Sequence, residues 1–176
     1  MSRPLTTSGP LLVLLVLAAL GLSGCGYSFV GGLTNVPPGA RTIAIPVFGN
    51  KTAEAGIETD FANSLALDFN RSGILSVVAP PADLTLSGTI EEMILDGVAY
   101  NSRVIAVERR VRLRLSARLT EDATGKVFWA APAIIDNQVY RASSDPQVSE
   151  FNRREAIRTI AERVAFQIHN RALEGF

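Results

Sequence analysis

The strongest constraint on this chain lies in ten residues, Arg110 to Leu119, which read RVRLRLSARL. Val111, Leu113, Leu115, Ala117 and Leu119 fall on one parity, and Arg110, Arg112, Arg114, Ser116 and Arg118 on the other. Successive side chains of a strand point to opposite faces, so this period of two predicts a strand with one fully apolar face and four arginines on the other. Glu121-Asp122-Ala123-Thr124-Gly125 then reads as a hairpin loop. Val127 to Tyr140 returns as the partner strand, bent or bulged near Pro132, which cannot donate to a ladder.

The other elements must supply the surface that covers the apolar face. Ile43, Ile45 and Val47 alternate with Thr42, Ala44 and Pro46, a strand at an edge or bulged at Pro46. Asn50-Lys51-Thr52 closes it. From about Glu54 to Arg71, Ile57, Phe61, Leu65 and Phe69 recur every fourth residue, which predicts a helix that Gly73 ends. Ile74 to Val78 is a short apolar run closed by Pro80-Pro81 and reads as a second strand, and Leu84, Leu86, Gly88 and Ile90 alternate with Thr85, Ser87 and Thr89 until Glu91-Glu92 breaks the rhythm as a bulge would. Ser144-Asp145-Pro146 announces a last helix, with Ile157, Ile160, Ala161, Val164, Ala165 and Ile168 as its apolar stripe. Ile160 and Val164 are expected in the core, and charges such as Arg158 or Arg163 are expected to matter little to folding. The fold class is therefore α+β, two helices packed on one face of a roughly four-stranded mixed or antiparallel sheet.

The N-terminal segment has a different character. Arg3 precedes the apolar run Leu11 to Leu20, and Leu22-Ser23-Gly24-Cys25 follows with the only cysteine. Charged start, apolar stretch and small residues are the order of a secretory signal. As a helix the run would be about 15 Å long, half of a bilayer core of about 30 Å, and poorly suited to span it. Leu-Ser-Gly-Cys also resembles a bacterial lipobox, which implies cleavage before Cys25 and its acylation. A lone free thiol in an oxidising compartment would be a reactive liability, which acylation removes. Two or more acyl chains anchor stably where one does not. Gly26, where some lipoproteins carry an inner-membrane aspartate, favours the outer membrane. The expected organisation is 1–24 as signal peptide, 25–41 as a lipidated flexible tether and 42–176 as one α+β domain.

Without Arg3, sixteen basic residues face seventeen acidic ones, so nothing pulls the chain toward nucleic acid. Only Lys51 and Lys126 are lysines; the arginine bias suits planar, bidentate contact with phosphate or carboxylate. His169 is the only histidine, placed beside the apolar stripe as a boundary or surface residue. No phosphate-loop, dinucleotide or nucleophile-elbow motif and no His/Cys ligand spacing occurs. The carboxylate pairs are Glu91-Glu92, whose members should point to opposite faces of a strand, and Glu121-Asp122, in a turn. No catalytic residue, metal or cofactor is expected, and an enzyme is not.

Cys25-Gly26-Tyr27, the block Ile43-Ala44-Ile45-Pro46-Val47-Phe48-Gly49-Asn50-Lys51-Thr52, Gly56-Ile57-Glu58, Ala82-Asp83-Leu84-Thr85-Leu86-Ser87-Gly88 and the arginine-rich strand, in that order, resemble the LptE family of lipopolysaccharide-assembly lipoproteins. The resemblance implies an outer-membrane lipoprotein on the periplasmic side, a plug and assembly partner of the LptD β-barrel, and a lipopolysaccharide binder. A different envelope lipoprotein, such as a secretion-pore subunit or an activator of a cell-wall synthase, can share such a body behind an acylated cysteine.

Arg110, Arg112, Arg114 and Arg118 form a row about 27 Å long, the first three about 6.8 Å apart. Like charges on one face need counter-charges. Glu91 and Asp96 on the neighbouring strand can supply them, making a solvated polar face. A ligand can also supply them: guanidinium forks grip phosphates of lipopolysaccharide, with acyl chains along Trp129 or Phe128.

Overall fold

The computed structural model describes residues 36–100 and 106–174. Cys25, with the signal and tether expected around it up to residue 35, lies outside the described residues. In order, the elements are β1 (Thr42–Ala44), β2 (Gly49–Asn50), α1 (Ile57–Ser72), β3 (Ser76–Val77), β4 (Leu84–Tyr100), β5 (Ala106–Glu121), β6 (Val127–Arg141) and α2 (Pro146–Glu174). The sheet order is β3-β1-β4-β5-β6, with β2 also on β4. β4, β5 and β6 form an antiparallel meander, while β1, β2 and β3 are added in parallel, so the sheet is mixed. Six strands replace the expected four or so because three of them are only two or three residues long.

The apolar parity of β5 is buried as its alternation requires: Val111, Leu113, Leu115, Ala117 and Leu119 join Leu84, Leu86 and Ile90 of β4 in one core. Both helices cover that face. Ile57, Phe61, Leu65 and Phe69 of α1 and Ile157, Ile160, Ala161, Val164, Ala165 and Ile168 of α2 are all buried in the same cluster. At roughly 1.5 to 3 kcal/mol for each fully buried large aliphatic or phenyl side chain, this cluster is the main stabilising term. Gly73 ends α1 with φ +65°, its N–H reaching the Phe69 carbonyl at 3.2 Å, a conformation that costs a glycine little. Asp145 accepts from the Gln147 N–H at 2.8 Å and so caps α2.

Two local readings need correction. The strand expected across residues 43–47 stops at Ala44, since Pro46 has no N–H for a ladder; the chain rejoins β4 as β2 after Phe48 has turned into the core. β1 is not at an edge there, because β3 flanks it on the side away from β4. Arg163, partly exposed on α2, reaches across to β6. Its guanidinium donates to both Asp136 oxygens at 2.9 and 3.0 Å, to Gln138 Oε1 at 2.8 Å and to the Asn137 carbonyl at 2.9 Å, clamping the helix to β6. Ahead of β1, Val36 and Ala40 pack against the core as well.

Candidate functional site

With the helices on one face, the opposite face of the sheet has no element packed on it among the described residues, and the arginine row stands on it. Cross-strand register sets each arginine's neighbours. On the β4 side, Asp96 faces Arg110, Ile94 faces Arg112, Glu92 faces Arg114 and Ser87 faces Arg118. On the β6 side the same residues face Val139, Asn137, Ile135 and Ala130. Apart from Ile94, the first flank is of carboxylates and a hydroxyl; apart from Asn137, the second is apolar, with Ile135 61 % and Val139 36 % exposed.

The carboxylates are only partly matched to the arginines. Arg112 pairs with Asp96 at 3.6 Å and Arg114 with Glu92 at 3.3 Å. Both pairs are close to half exposed, and each is worth on the order of 0–1 kcal/mol. Glu91, expected as a partner of the row, is instead held by the Lys51 ammonium at 2.6 Å and by the Ser116 hydroxyl at 3.2 Å. Lys51 accordingly keeps the Glu91 carboxyl below its usual range. The expectation that Glu91 and Glu92 point to opposite faces is overturned. The register passes from Ile90 opposite Leu115 to Glu92 opposite Arg114, which leaves Glu91 as the extra residue of a bulge. Both carboxylates then reach groups of the open face, one on Ser116 and one on Arg114.

The two ends of the row have no carboxylate partner among the described residues. Arg118 donates its Nε–H to the Ser87 hydroxyl at 3.3 Å. The Nε of Arg110 is buried without a hydrogen-bond partner there. The aromatic border imagined for the row is absent: Trp129 sits opposite Leu119 on the helix-covered face, and Phe128 packs against the same core with Lys126 Nζ 4.6 Å from its ring centre. Alternation alone could not place these two, because a second register shift separates them from Val127.

His169 is a boundary residue. Its ring meets Phe69 edge-on at 4.8 Å and its Nδ1 lies 3.0 Å from the Asn170 side-chain oxygen. Among the described residues no cluster of His, Cys, Asp and Glu is placed to hold a metal ion. Asp83, by contrast, ties the start of the body to β4: it accepts the N–H groups of Arg41 and Thr42 at 2.8 and 2.9 Å and the Thr42 hydroxyl at 2.8 Å. The Arg41 N–H, and after it the Thr42 side chain, hold its carboxyl below the ordinary value of 3.8. This bond set accounts for part of the Ala82-to-Gly88 block singled out in the sequence. Asn50 accounts for part of the other long block, since its side chain accepts from Thr52 N–H at 2.9 Å and donates to Glu58 at 2.7 Å, joining β2 to the start of α1.

No curated protein matches the sequence. Among solved structures, protein XCC0632 from Xanthomonas campestris is similar at 13 % identity, with 79 % of this chain and 90 % of that one covered and a TM-score of 0.52. A dodecamer of PelC from Paraburkholderia phytofirmans, in a singly substituted form, is similar at 16 % identity, with 81 % and 93 % covered and a TM-score of 0.50. At such identities the likeness is one of fold alone. The family comparison goes further, since the sequence model of LptE, lipopolysaccharide-assembly, matches residues 40–172 and so spans nearly the whole described body, from the residue before the Asp83 clamp through the arginine strand to the end of α2. The chain belongs to the LptE lipopolysaccharide-assembly family.

Proposed function

We propose that this protein is a periplasm-facing lipoprotein of the outer membrane, anchored through acylated Cys25, that serves as plug and assembly partner of an LptD-type β-barrel and binds lipopolysaccharide on its open sheet face. Family membership supports the coarse part of the reading, an outer-membrane lipoprotein of lipopolysaccharide assembly that is not an enzyme. The observation that carries the finer part is the open face itself, with four arginines in one row, only two of them paired with carboxylates among the described residues, and an exposed apolar border alongside. Guanidinium groups take phosphates bidentately, and the unmatched charge is available to an anionic ligand rather than to the protein. The apolar border at Ile135 and Val139 offers acyl chains a surface that water solvates poorly.

The test is affinity purification of the full-length chain from envelope membranes, followed by identification of what is retained. A large outer-membrane barrel and lipopolysaccharide are expected, with labelled palmitate on the parent and none on Cys25→Ser. Recovery of a self-assembled ring or of a cell-wall synthase, with neither barrel nor lipopolysaccharide, would favour the other class of envelope lipoprotein.

A further inference from the structure

The hairpin end of the open face has its own chemistry. Thr85 lies opposite Thr120, Ser87 opposite Arg118 and Thr89 opposite Ser116. One arginine thus stands among five hydroxyls, whereas the rest of the face is mainly charged or apolar, with Asn137 as a neutral polar residue. Arg118 uses its Nε–H on Ser87 and makes no ion pair among the described residues, so the remaining N–H donors of its fork are open to a ligand.

Beside it the neighbouring strand gives way. Register on β6 jumps from Ala131 opposite Ala117 to Ile134 opposite Leu115, so Pro132 and Ala133 bow out of the ladder at Ser116. The result is a shallow depression of about 520 Å³, lined by Ser87 to Thr89, Ser116 to Arg118 and Ala130 to Pro132. Its small side chains leave the strand backbones as its floor. Gly49 keeps the Thr89 hydroxyl clear, since a Cβ there would come within 3.1 Å of that oxygen.

An unmatched guanidinium, flanking hydroxyls and a low wall made by Ala130 and Pro132 together suit a sugar ring that bears one acidic group. The fork takes the phosphate or carboxylate, the hydroxyls exchange hydrogen bonds with ring hydroxyls, and the wall takes the C–H face of the ring. We propose that this depression is a subsite for an acidic saccharide, with Arg118 as its anion anchor. It rests on the reading of the open face as a lipopolysaccharide-binding surface, and it gives the ligand a direction: sugar toward the β5–β6 hairpin, acyl chains toward Ile135 and Val139.

The test titrates the full-length protein with glucose 1-phosphate, glucuronate, glucose and inorganic phosphate while following the methyl resonances of Thr89 and Ala130. Glucose 1-phosphate or glucuronate should move these signals at least ten times more tightly than glucose or inorganic phosphate does, and whichever of the two is tighter identifies the acidic group. Arg118→Gln should weaken this at least tenfold with an unchanged melting midpoint, Thr89→Val should weaken it without loss of fold, and Arg158→Gln, on α2 and paired with Glu155, should leave it as in the parent. Equal response to glucose and glucose 1-phosphate, inorganic phosphate as effective as its sugar ester, or an Arg118→Gln protein that binds like the parent would each overturn the subsite. Capture of whole lipopolysaccharide separates the two readings. Equal capture by parent and Arg118→Gln sinks the subsite and leaves the broader reading standing, whereas sugar-phosphate binding without any lipopolysaccharide capture sinks the broader reading and leaves the subsite.

Discussion

Gly88→Ala should be among the most damaging one-carbon changes this protein can suffer. Gly88 is the fifth residue of β4, on the helix-covered face opposite Ala117, and the Phe48 ring lies directly over it. A Cβ built there would be 2.2 Å from Phe48 Cε2 and 2.6 Å from both Cδ2 and Cζ. Ordinary carbon contacts begin at about 3.5 Å, so the ring would have to retreat by roughly 1.3 Å. It has little room to do so, being 3 % exposed and stacked on Phe61 at 6.4 Å between centres. Overpacking of this kind costs about 1 to 3 kcal/mol, and we expect the upper end. For a body of this size that corresponds to a fall in melting midpoint of roughly 6 to 12 °C. The discriminating assay is a double-mutant cycle by chemical denaturation with Phe48→Leu, which shortens the side chain that collides. If the clash is the cause, the double variant should be less destabilised than the sum of the singles by about 1 kcal/mol or more. Strict additivity, or an unchanged midpoint for Gly88→Ala alone, would refute the reasoning.

Ile160, fully buried on α2, should cost about 2 to 5 kcal/mol on truncation to alanine, read as a shift of the denaturation midpoint; no shift would mean that α2 does not cover this core. Arg163→Ala breaks the fork to Asp136 and Gln138, but the arginine is 43 % exposed, so the loss should be about 1 kcal/mol or less and should shrink in high salt. Asp83, Glu91 and Glu150 all have carboxyl groups held below their ordinary values, by the Arg41 N–H, Lys51 and Arg153 respectively. A depressed native value means that the unfolded chain binds the proton first, so their contribution is present above the ordinary carboxylate range and is lost as pH falls through the native values. Stability measured against pH should therefore decline below about pH 4, and Asp83→Asn should flatten that decline; an unaltered acid limb would contradict the clamp at Arg41 and Thr42.

The parts of this fold that were legible in the sequence are those in which one periodicity runs uninterrupted. β5 alternates for ten residues and α2 carries six stripe residues at helical spacing, so burial follows from pattern alone. The bend near Pro132 was legible too, because proline is excluded from a ladder. What pattern could not give are consequences of a single extra residue. The bulge at Glu91 puts two carboxylates on one face, where counting would separate them, and the irregularity after Val127 keeps both Phe128 and Trp129 on the core. β2, at two residues, is too short to have a period at all, whereas β3 lies inside the apolar run Ile74 to Val78 that read as a strand. The candidate site was therefore half visible. Its arginines could be read directly, but their counter-charges, their apolar border and the depression beside Arg118 depend on register between strands far apart in sequence.

The clamp at Asp83 also decides how the body would bear a load. Tension arriving from the N-terminal side passes Val36 and Ala40, which pack against the core, reaches Arg41 and Thr42, both held to Asp83, and then meets β1, which is bonded on both sides, to β3 and to β4, with strand direction parallel in each case. A strand drawn along its own axis between two neighbours loads its bonds together rather than one after another, so it yields by shear and not by peeling. The Asp83 oxygen, gripping three donors just ahead of that strand, acts as a strain relief at the point where a cable enters its housing. If the body hangs from a membrane by its first residues, as we propose, the shortest strands of the sheet are the ones that take up a tug.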